Sequence, residues 1–143
     1  MKALLRAIMD RAKVATSLIT TPFTGGFWVT DYPHGQTPAG PYVIISLLGG
    51  SDPLLGFQGA HKIERPAFRL TIFNKTPLSD SIMGYMDTLK TRFDEATLIF
   101  AEASAAGWTS HICRRMHSGL LLFDKETGYW SFTIDYEYSY QSI

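Results

Sequence analysis

The sequence contains a single cysteine, Cys113, so an internal disulfide framework is excluded. It has no excess of either charge, because 13 lysine and arginine residues balance 13 aspartate and glutamate residues. A chain without net positive charge has no overall field to hold a polyanion, which disfavours a dedicated nucleic-acid-binding protein. Its apolar runs are too short to cross a membrane, and charged residues interrupt Met1–Ile19, unlike a signal peptide. These absences predict a soluble protein made in a reducing compartment.

Established catalytic and ligand-binding motifs are also missing. The pairs Gly25-Gly26 and Gly49-Gly50 lack the other residues of a phosphate-binding loop and therefore predict turns. His111, Cys113 and His117 share the parity of one strand face, but their spacing matches no established zinc pattern. We therefore expect no metal, no cofactor and no enzymatic activity. A small metal enzyme built on these three residues is the minor alternative.

The strongest positive signal is the stretch Tyr129–Tyr140, in which apolar and polar residues alternate with period 2. This alternation predicts a β-strand with one aromatic face and one polar face, as in a sheet covered on one side only. The apolar face comprises Trp130, Phe132, Ile134, Tyr136, Tyr138 and Tyr140. The extended stretch Trp108–Phe123, bent at Ser118-Gly119, is predicted to pair with this strand through the polar turn Asp124–Gly128.

Two amphipathic helices are predicted from apolar residues that recur at three- and four-residue steps. The first is expected at residues 2–18 and the second at residues 77–94, where Thr76-Pro77 supplies a cap and a first-turn proline. Gly84 lies inside the second helix, where glycine costs up to ~1 kcal/mol relative to alanine. We expect this glycine to allow close packing of the helix on the sheet.

Further strands are predicted before the hairpin. Phe27–Val29 is a possible short strand, and the apolar run Pro41–Leu48 predicts a central strand buried on both faces and ended by Gly49-Gly50. Residues 51–60 are then expected to form a surface loop. Lys62–Asn74 alternates as a strand does, and Thr97–Phe100 is a possible short strand.

The order of these elements predicts an α+β fold class. We expect a mainly antiparallel β-sheet with two α-helices packed on one face and a long C-terminal β-hairpin. The 143 residues fit a single domain, residues 1–143.

This arrangement resembles the tail terminator or tail completion proteins of long-tailed bacteriophages. The resemblance rests on an N-terminal helix, the Pro-Tyr strand Pro41–Ile45, the strand and helix of Arg69–Phe73 and Ser79–Phe93, and the closing hairpin with its turn Asp124–Gly128. The sequence departs from that family in the lengths of its loops at residues 27–41 and 49–61.

The resemblance implies a structural virion protein at the head-tail junction, present in the host cytoplasm before assembly. Such a protein forms a ring, commonly of six copies, that caps the tail tube, ends tube polymerisation and provides the surface for head or neck attachment. Its implied partners are its own copies, the tail tube protein and a head-tail connector or neck protein, with DNA only in passage and no membrane. The alternatives are another phage ring protein, such as a neck or tail tube subunit, or a non-viral adaptor or binding module.

Two sets of residues are candidates for this role. Large apolar residues in the glycine- and proline-rich segments predict contacts between subunits. The alternative is that these side chains pack into the core of their own chain. They are Phe27, Trp28, Leu54, Leu55 and Phe57. Asp135 and Glu137 lie on the polar face of the last strand and are predicted to face the channel, where they would repel DNA phosphates. The alternative is that these two carboxylates keep an outer face of the sheet hydrated.

Overall fold

Two helices and six strands form the regular structure of the part of the chain that the structure describes. The computed structural model describes residues 2–13, 17–18, 22–29, 40–55, 62–75, 79–100, 109–119 and 121–142. In chain order the elements are α1 (Lys2–Lys13), β1 (Phe27–Val29), β2 (Tyr42–Leu55), β3 (Lys62–Asn74), α2 (Ser79–Phe93), β4 (Thr109–Ser118), β5 (Leu122–Phe123) and β6 (Trp130–Ser142).

The six strands form one sheet in the order β1-β2-β3-β6-β4, and β5 also pairs with β6. The pairs β2–β3, β3–β6, β4–β6 and β5–β6 are antiparallel, whereas β1 runs parallel to β2. The predicted α+β class with a mainly antiparallel sheet is therefore confirmed.

One face of this sheet forms the core together with both helices. Phe68 lies opposite Tyr136, and Leu70 lies opposite both Ile45 and Ile134, so alternate residues of three neighbouring strands share one face. These side chains are fully buried. The helices complete the core with Leu4, Ile8, Ala12, Ile82, Leu89 and Phe93. The prediction that both helices cover one face is confirmed, because period-2 strands have one apolar side to bury.

The C-terminal hairpin is also confirmed. The Asp124–Gly128 turn is closed by a hydrogen bond of 2.8 Å from Gly128 N–H to the Asp124 carbonyl, and Gly128 has the expected positive φ of 75°. The first arm is interrupted at Gly119, where β4 ends before β5 begins. A Cβ at Gly119 would clash with the Thr133 side chain and lie 3.3 Å from the Thr133 carbonyl oxygen, so the close approach of the two strands favours glycine there.

The first helix, Lys2–Lys13, does not include residues 17–18, where helix was predicted, and the second ends at Phe93, within a residue of its predicted end. The carbonyls of Arg11 and Ala12 accept hydrogen bonds from Arg92 Nη1 at 3.3 and 3.1 Å, while Arg11 Nε donates to the Arg92 carbonyl at 3.0 Å. The two helix ends thus cap each other, with cations placed at C-termini as the helix dipole favours. The predicted cap Thr76-Pro77 of the second helix lies outside the described residues.

Two further predictions about helix α2 and the residues after it are wrong. Gly84 is exposed, and a Cβ there would meet open space, so this glycine does not serve packing on the sheet. Thr97–Phe100 forms no strand and makes only an isolated bridge between Thr97 and Ile112. Glu95 precedes this bridge with a φ of 57° and turns the chain out of the helix.

Strand β2 differs most from its prediction. It continues through Gly49-Gly50 to Leu55, because irregularities in register between Leu47 and Gly49 and between Ser51 and Leu54 absorb the extra residues without ending the pairing with β3. Residues 51–55 are therefore strand rather than loop. Nor is β2 central and buried on both faces, since it lies next to the short outermost strand β1 and its Leu48 side chain is exposed.

Neither helix in the described residues is long and apolar enough to span a membrane.

Candidate functional site

The sheet face on the side away from the helices carries charged and polar side chains along its middle and an aromatic group of Tyr42, Phe73 and Tyr129 at one end, and we call it the open face. Its central row runs across four strands from Ser46 through Arg69 and Asp135 to His117. Arg69 holds Asp135 with two hydrogen bonds, Nε to Oδ1 at 2.8 Å and Nη2 to Oδ2 at 3.1 Å. This charge-assisted hydrogen bond raises the pKa of Arg69, so the guanidinium stays charged.

Glu137 lies on the same face, one ladder position from Asp135, and is opposite Ala67 and Arg114. Alternation along β3 adds Arg65 to this face. The described residues of the open face therefore carry three arginines beside two carboxylates. Asp135 and Glu137 thus lie on the face that alternation predicted, but Asp135 is paired with Arg69 and the surrounding charge is mixed. That this face looks into a channel stays a prediction.

A second cluster joins the end of α2 to the sheet. The Tyr136 hydroxyl donates to Asp94 Oδ1 at 2.7 Å, and Asp94 Oδ2 lies 3.3 Å from Arg115 Nη1. Burial of Tyr136 and its hydrogen bond to Asp94 raise the pKa of the phenol. Arg114 and Arg115 are opposite Glu137 and Tyr136 respectively, so they point to different faces of β4, as alternation predicts.

A groove of about 900 Å³ runs along β4 between these two clusters. Its charged lining consists of Arg65, Arg114, Arg115, Asp94, Glu95 and Glu137. With equal numbers of basic and acidic side chains, this groove does not select a polyanion.

Cys113 and His117 do not form a shared site, and the side chain of His111 lies outside the described part of the chain. Cys113 is buried opposite Tyr138 on the helix side, whereas His117 is opposite Asp135 on the open face. The predicted common parity is wrong because β4 has register shifts between Ser110 and Cys113 and again between Arg115 and His117. Burial raises the pKa of Cys113 to about 12, which keeps the thiol protonated. No group of three metal-binding side chains occurs among the described residues.

The residues predicted to contact a neighbouring subunit lie in different environments. Phe27 is buried in the chain's own core and packs edge-on against Phe23, so it is not available to a neighbouring subunit. Trp28 is half-buried, and its indole N–H donates to the Gly25 carbonyl at 2.8 Å. Leu54 and Leu55 belong to β2, but their side chains are outside the described part of the chain. Phe57 lies in the undescribed range 56–61.

Among the described residues, six of the eight exposed large apolar side chains lie near the two edges of the sheet, and the other two are Met83 on α2 and Ile99 after it. Ile112, Met116, Leu122 and Phe123 lie on β4 and β5, and Leu48 lies on β2 near the other edge. Clustered exposed apolar residues commonly mark sites of protein contact. The sheet edges are therefore the candidate functional surfaces of this chain.

The whole chain shares its fold with a virion protein. It matches a chain in "Virion of native gene transfer agent (GTA) particle" with a TM-score of 0.74. The two are 10% identical, and the match covers 99% of this chain and 96% of that chain. At this identity the likeness shows a common fold. No protein-family model matches the sequence, and no curated protein matches it.

The exposed apolar residues near the sheet edges and the contacts of Asp94 could not be predicted from the sequence. Met116 and Leu48 lie between the paired positions at which the register shifts, so their exposure does not follow from alternation. Asp94 was missed because its partners Tyr136 and Arg115 come from distant strands. The position of Arg69 on the open face follows from alternation, but its pairing with Asp135 depends on the β3–β6 register.

Proposed function

We propose that this protein is a structural component of a phage-like virion. The observation that carries the proposal is the match in fold, over nearly the full length of both chains, to a chain of a gene transfer agent virion. More specifically, we propose that copies of the chain form a ring, commonly of six, that caps the tail tube. The ring ends tube polymerisation and offers a surface to the head or neck. This role needs no catalytic residue, metal or cofactor.

A ring places specific demands on the surface of each subunit. Its contacts are heterologous, so each copy must present two different patches that complement one another. The exposed apolar residues near both sheet edges are consistent with this requirement. The proposed partners are other copies of the chain, the tail tube protein and a connector or neck protein.

Electron microscopy of the purified protein mixed with tail tubes tests the proposed role. A terminator binds at one end of each tube and stops added tube protein from extending it. Binding along the tube, or polymerisation of the protein alone, would instead identify a tube subunit. Binding to connectors but not to tube ends would identify a neck protein, and binding to none of these would reject the virion role.

We further propose that Trp28, Leu54, Leu55 and Phe57 contribute to contacts between subunits. Because aromatic anchors dominate interface energies, Trp28→Ala should weaken assembly by ~2 kcal/mol or more. Trp28→Phe is the matched control, since it removes the hydrogen bond to Gly25 but keeps an aromatic ring. If circular dichroism shows that Trp28→Ala does not fold, Trp28 supports the chain's own core rather than a contact between subunits.

We also propose that the open face, with Asp135 and Glu137, looks into the channel through which DNA passes. There the two carboxylates offset part of the charge of the three nearby arginines, which weakens the attraction of the wall for phosphates. Glu137→Lys is the clearer probe, because Asp135 is bonded to Arg69. It should leave assembly intact but make the ring bind duplex DNA, whereas Glu126→Lys in the exposed turn should not. Equal DNA binding by both variants would place Glu137 on an outer surface.

A further inference from the structure

The positions where the register shifts in β2 and β4 share an unusual property. Leu48 in β2, and Ile112 and Met116 in β4, lie between the paired residues at these shifts. Their side chains are exposed by 44%, 50% and 58%. Soluble proteins commonly protect sheet edges with charged residues, and bulges redirect side chains. Here the redirected side chains are large and apolar, which favours contact with another surface.

Both of these strands also have backbone with no further strand beside it in the described part of the sheet. On one side, β1 pairs only with Val43–Ile45, so β2 from Ser46 onward has no described neighbour on that side. On the other side, Glu95 and Ala96 exchange hydrogen bonds of 3.0 and 2.8 Å with Cys113, and the segment from Arg114 to Ser118 lies beyond this pairing. In an antiparallel strand the backbone N–H and C=O groups of every second residue point to the same side. Those of Cys113 point outward to Glu95 and Ala96, so those of Arg115 also point outward.

The directions of the strands make these two edges compatible. Three successive antiparallel pairings separate β2 from β4, so the two edges run in opposite directions. If a second copy continues the sheet with its helices on the same side, its β2 lies antiparallel to the first copy's β4. This is the commoner and slightly more stable mode of pairing.

We propose that the outer edge of β4, from Arg114 to Ser118, pairs with the outer edge of β2, from Ser46 onward, in a second copy of this chain. Met116 and Leu48 then contribute apolar contacts across the junction. The proposal rests on the ring assembly proposed above, for which it names the two complementary surfaces.

Charge supports a second copy as the occupant of the β4 edge. The groove beside β4 carries three basic and three acidic side chains, so neither a polyanion nor a polycation is favoured there. The chain itself has a formal net charge of zero. The strand segment Ser46–Gly50 contains no charged residue, so it can approach Arg114, Arg115 and the acids around them without like-charge repulsion.

Two edge variants and their mixture test the pairing. Met116→Lys blocks the β4 edge and Leu48→Lys blocks the β2 edge, since a charge is costly in an apolar junction. Each variant alone should require about tenfold or more protein for assembly than the unmodified chain. A 1:1 mixture should instead form a discrete dimer, because each variant keeps the edge that the other has lost. Analytical ultracentrifugation distinguishes monomer, dimer and ring.

Met83→Lys is the matched control, because Met83 is an exposed methionine on α2, away from both edges. It should assemble like the unmodified chain. Normal assembly of Met116→Lys, no dimer in the mixture, an equal defect in Met83→Lys, or an unmodified chain that stays monomeric would each overturn the edge pairing. Rings that still form on tube ends with Met116→Lys would overturn the pairing but leave the proposed virion role intact.

A cross-linking experiment removes the dependence on a destabilising substitution. A chain carrying both Leu48→Cys and Met116→Cys, treated with a short bismaleimide, should give a ladder of covalent oligomers. A chain carrying Met83→Cys and Met116→Cys should give none, and Cys113 is buried in both. A ladder in neither chain, or an equal ladder in both, would refute the pairing.

Discussion

Replacing Asp94 with alanine tests the connection between the end of α2 and the sheet. Asp94 follows the last residue of the helix, accepts a hydrogen bond from Tyr136 at 2.7 Å and forms an ion pair with Arg115 at 3.3 Å. It therefore joins α2 to both strands of the C-terminal hairpin. The alanine variant loses both interactions without removing an apolar side chain from the core.

The burial of each partner determines the expected magnitude. Tyr136 is fully buried, so its hydroxyl would be left as an unsatisfied donor, at a cost of about 1–3 kcal/mol. The side chains of Arg115 and Asp94 are 39% and 35% exposed, so solvent screens their ion pair and its loss contributes less than about 1 kcal/mol. We expect Asp94→Ala to lower the free energy of unfolding by about 2 kcal/mol, mainly through the tyrosine.

A double-mutant cycle separates this explanation from a general loss of packing. Tyr136→Phe alone should cost about 1 kcal/mol, because Asp94 loses its donor. In the Asp94→Ala background the same change removes the unsatisfied hydroxyl, so it should be neutral or stabilising. Urea unfolding at a concentration where the chain is monomeric measures each free energy, with Arg115→Met as the control for the ion pair. If Tyr136→Phe is equally destabilising in both backgrounds, the reasoning is refuted.

Three further predictions concern single residues. Arg69→Met should lower the free energy of unfolding by about 1–2 kcal/mol, because Asp135, only 14% exposed, loses both donors; an unchanged urea midpoint would contradict this. Cys113 should react with thiol reagents far more slowly in the folded chain than in urea, because burial raises the pKa of its thiol from 9.0 to about 12. Burial of the protonated thiol therefore adds to the free energy of unfolding below pH 9, and this contribution is lost as the pH rises towards 12. Gly84→Ala should stabilise the chain by about 0.5–1 kcal/mol in thermal or urea unfolding, since the added methyl group meets open space. A loss of stability would show that the methyl group makes an unfavourable contact.

Much of the fold could be predicted because one face of the sheet is covered and the other is not. This asymmetry produces the period-2 pattern of β6, whose aromatic residues from Phe132 to Tyr140 are buried as expected, while Trp130 is half-buried. The same pattern located β3 with its bounds Lys62–Asn74. The hairpin turn was equally accessible, since Gly128 is needed for its positive φ. These signals are local and remain visible in the sequence alone.

The length of β2 could not be predicted in this way because it depends on its partner. Gly49-Gly50 resembles a strand end, yet β3 continues beside it, and the bulge near Gly49 preserves the pairing. The predicted strands 41–48 and 62–74 were unequal in length, but the sequence did not show that they pair. The parity error at Cys113 and His117 has the same origin, since one inserted residue moves every later side chain to the other face.

The candidate site was less predictable than the fold because it depends on residues that only tertiary structure brings together. The open face illustrates the consequence. Alternation placed Asp135 and Glu137 there, and their charges alone predicted repulsion of DNA. The register adds Arg69 directly beside Asp135 and Arg114 beside Glu137, so the described face is mixed rather than acidic.

The mixed charge of the open face changes the argument about how a ring would treat DNA. If copies join through their sheet edges, the open face of one copy continues into that of the next, and its arginines and carboxylates repeat around the ring. Paired charges project little field beyond a few ångströms at physiological salt, where the Debye length is about 8 Å. A channel wall of this kind would not repel a passing polyanion as an acidic wall would. In that arrangement Glu137 is the more informative residue, because Asp135 is already held by Arg69 at 2.8 Å.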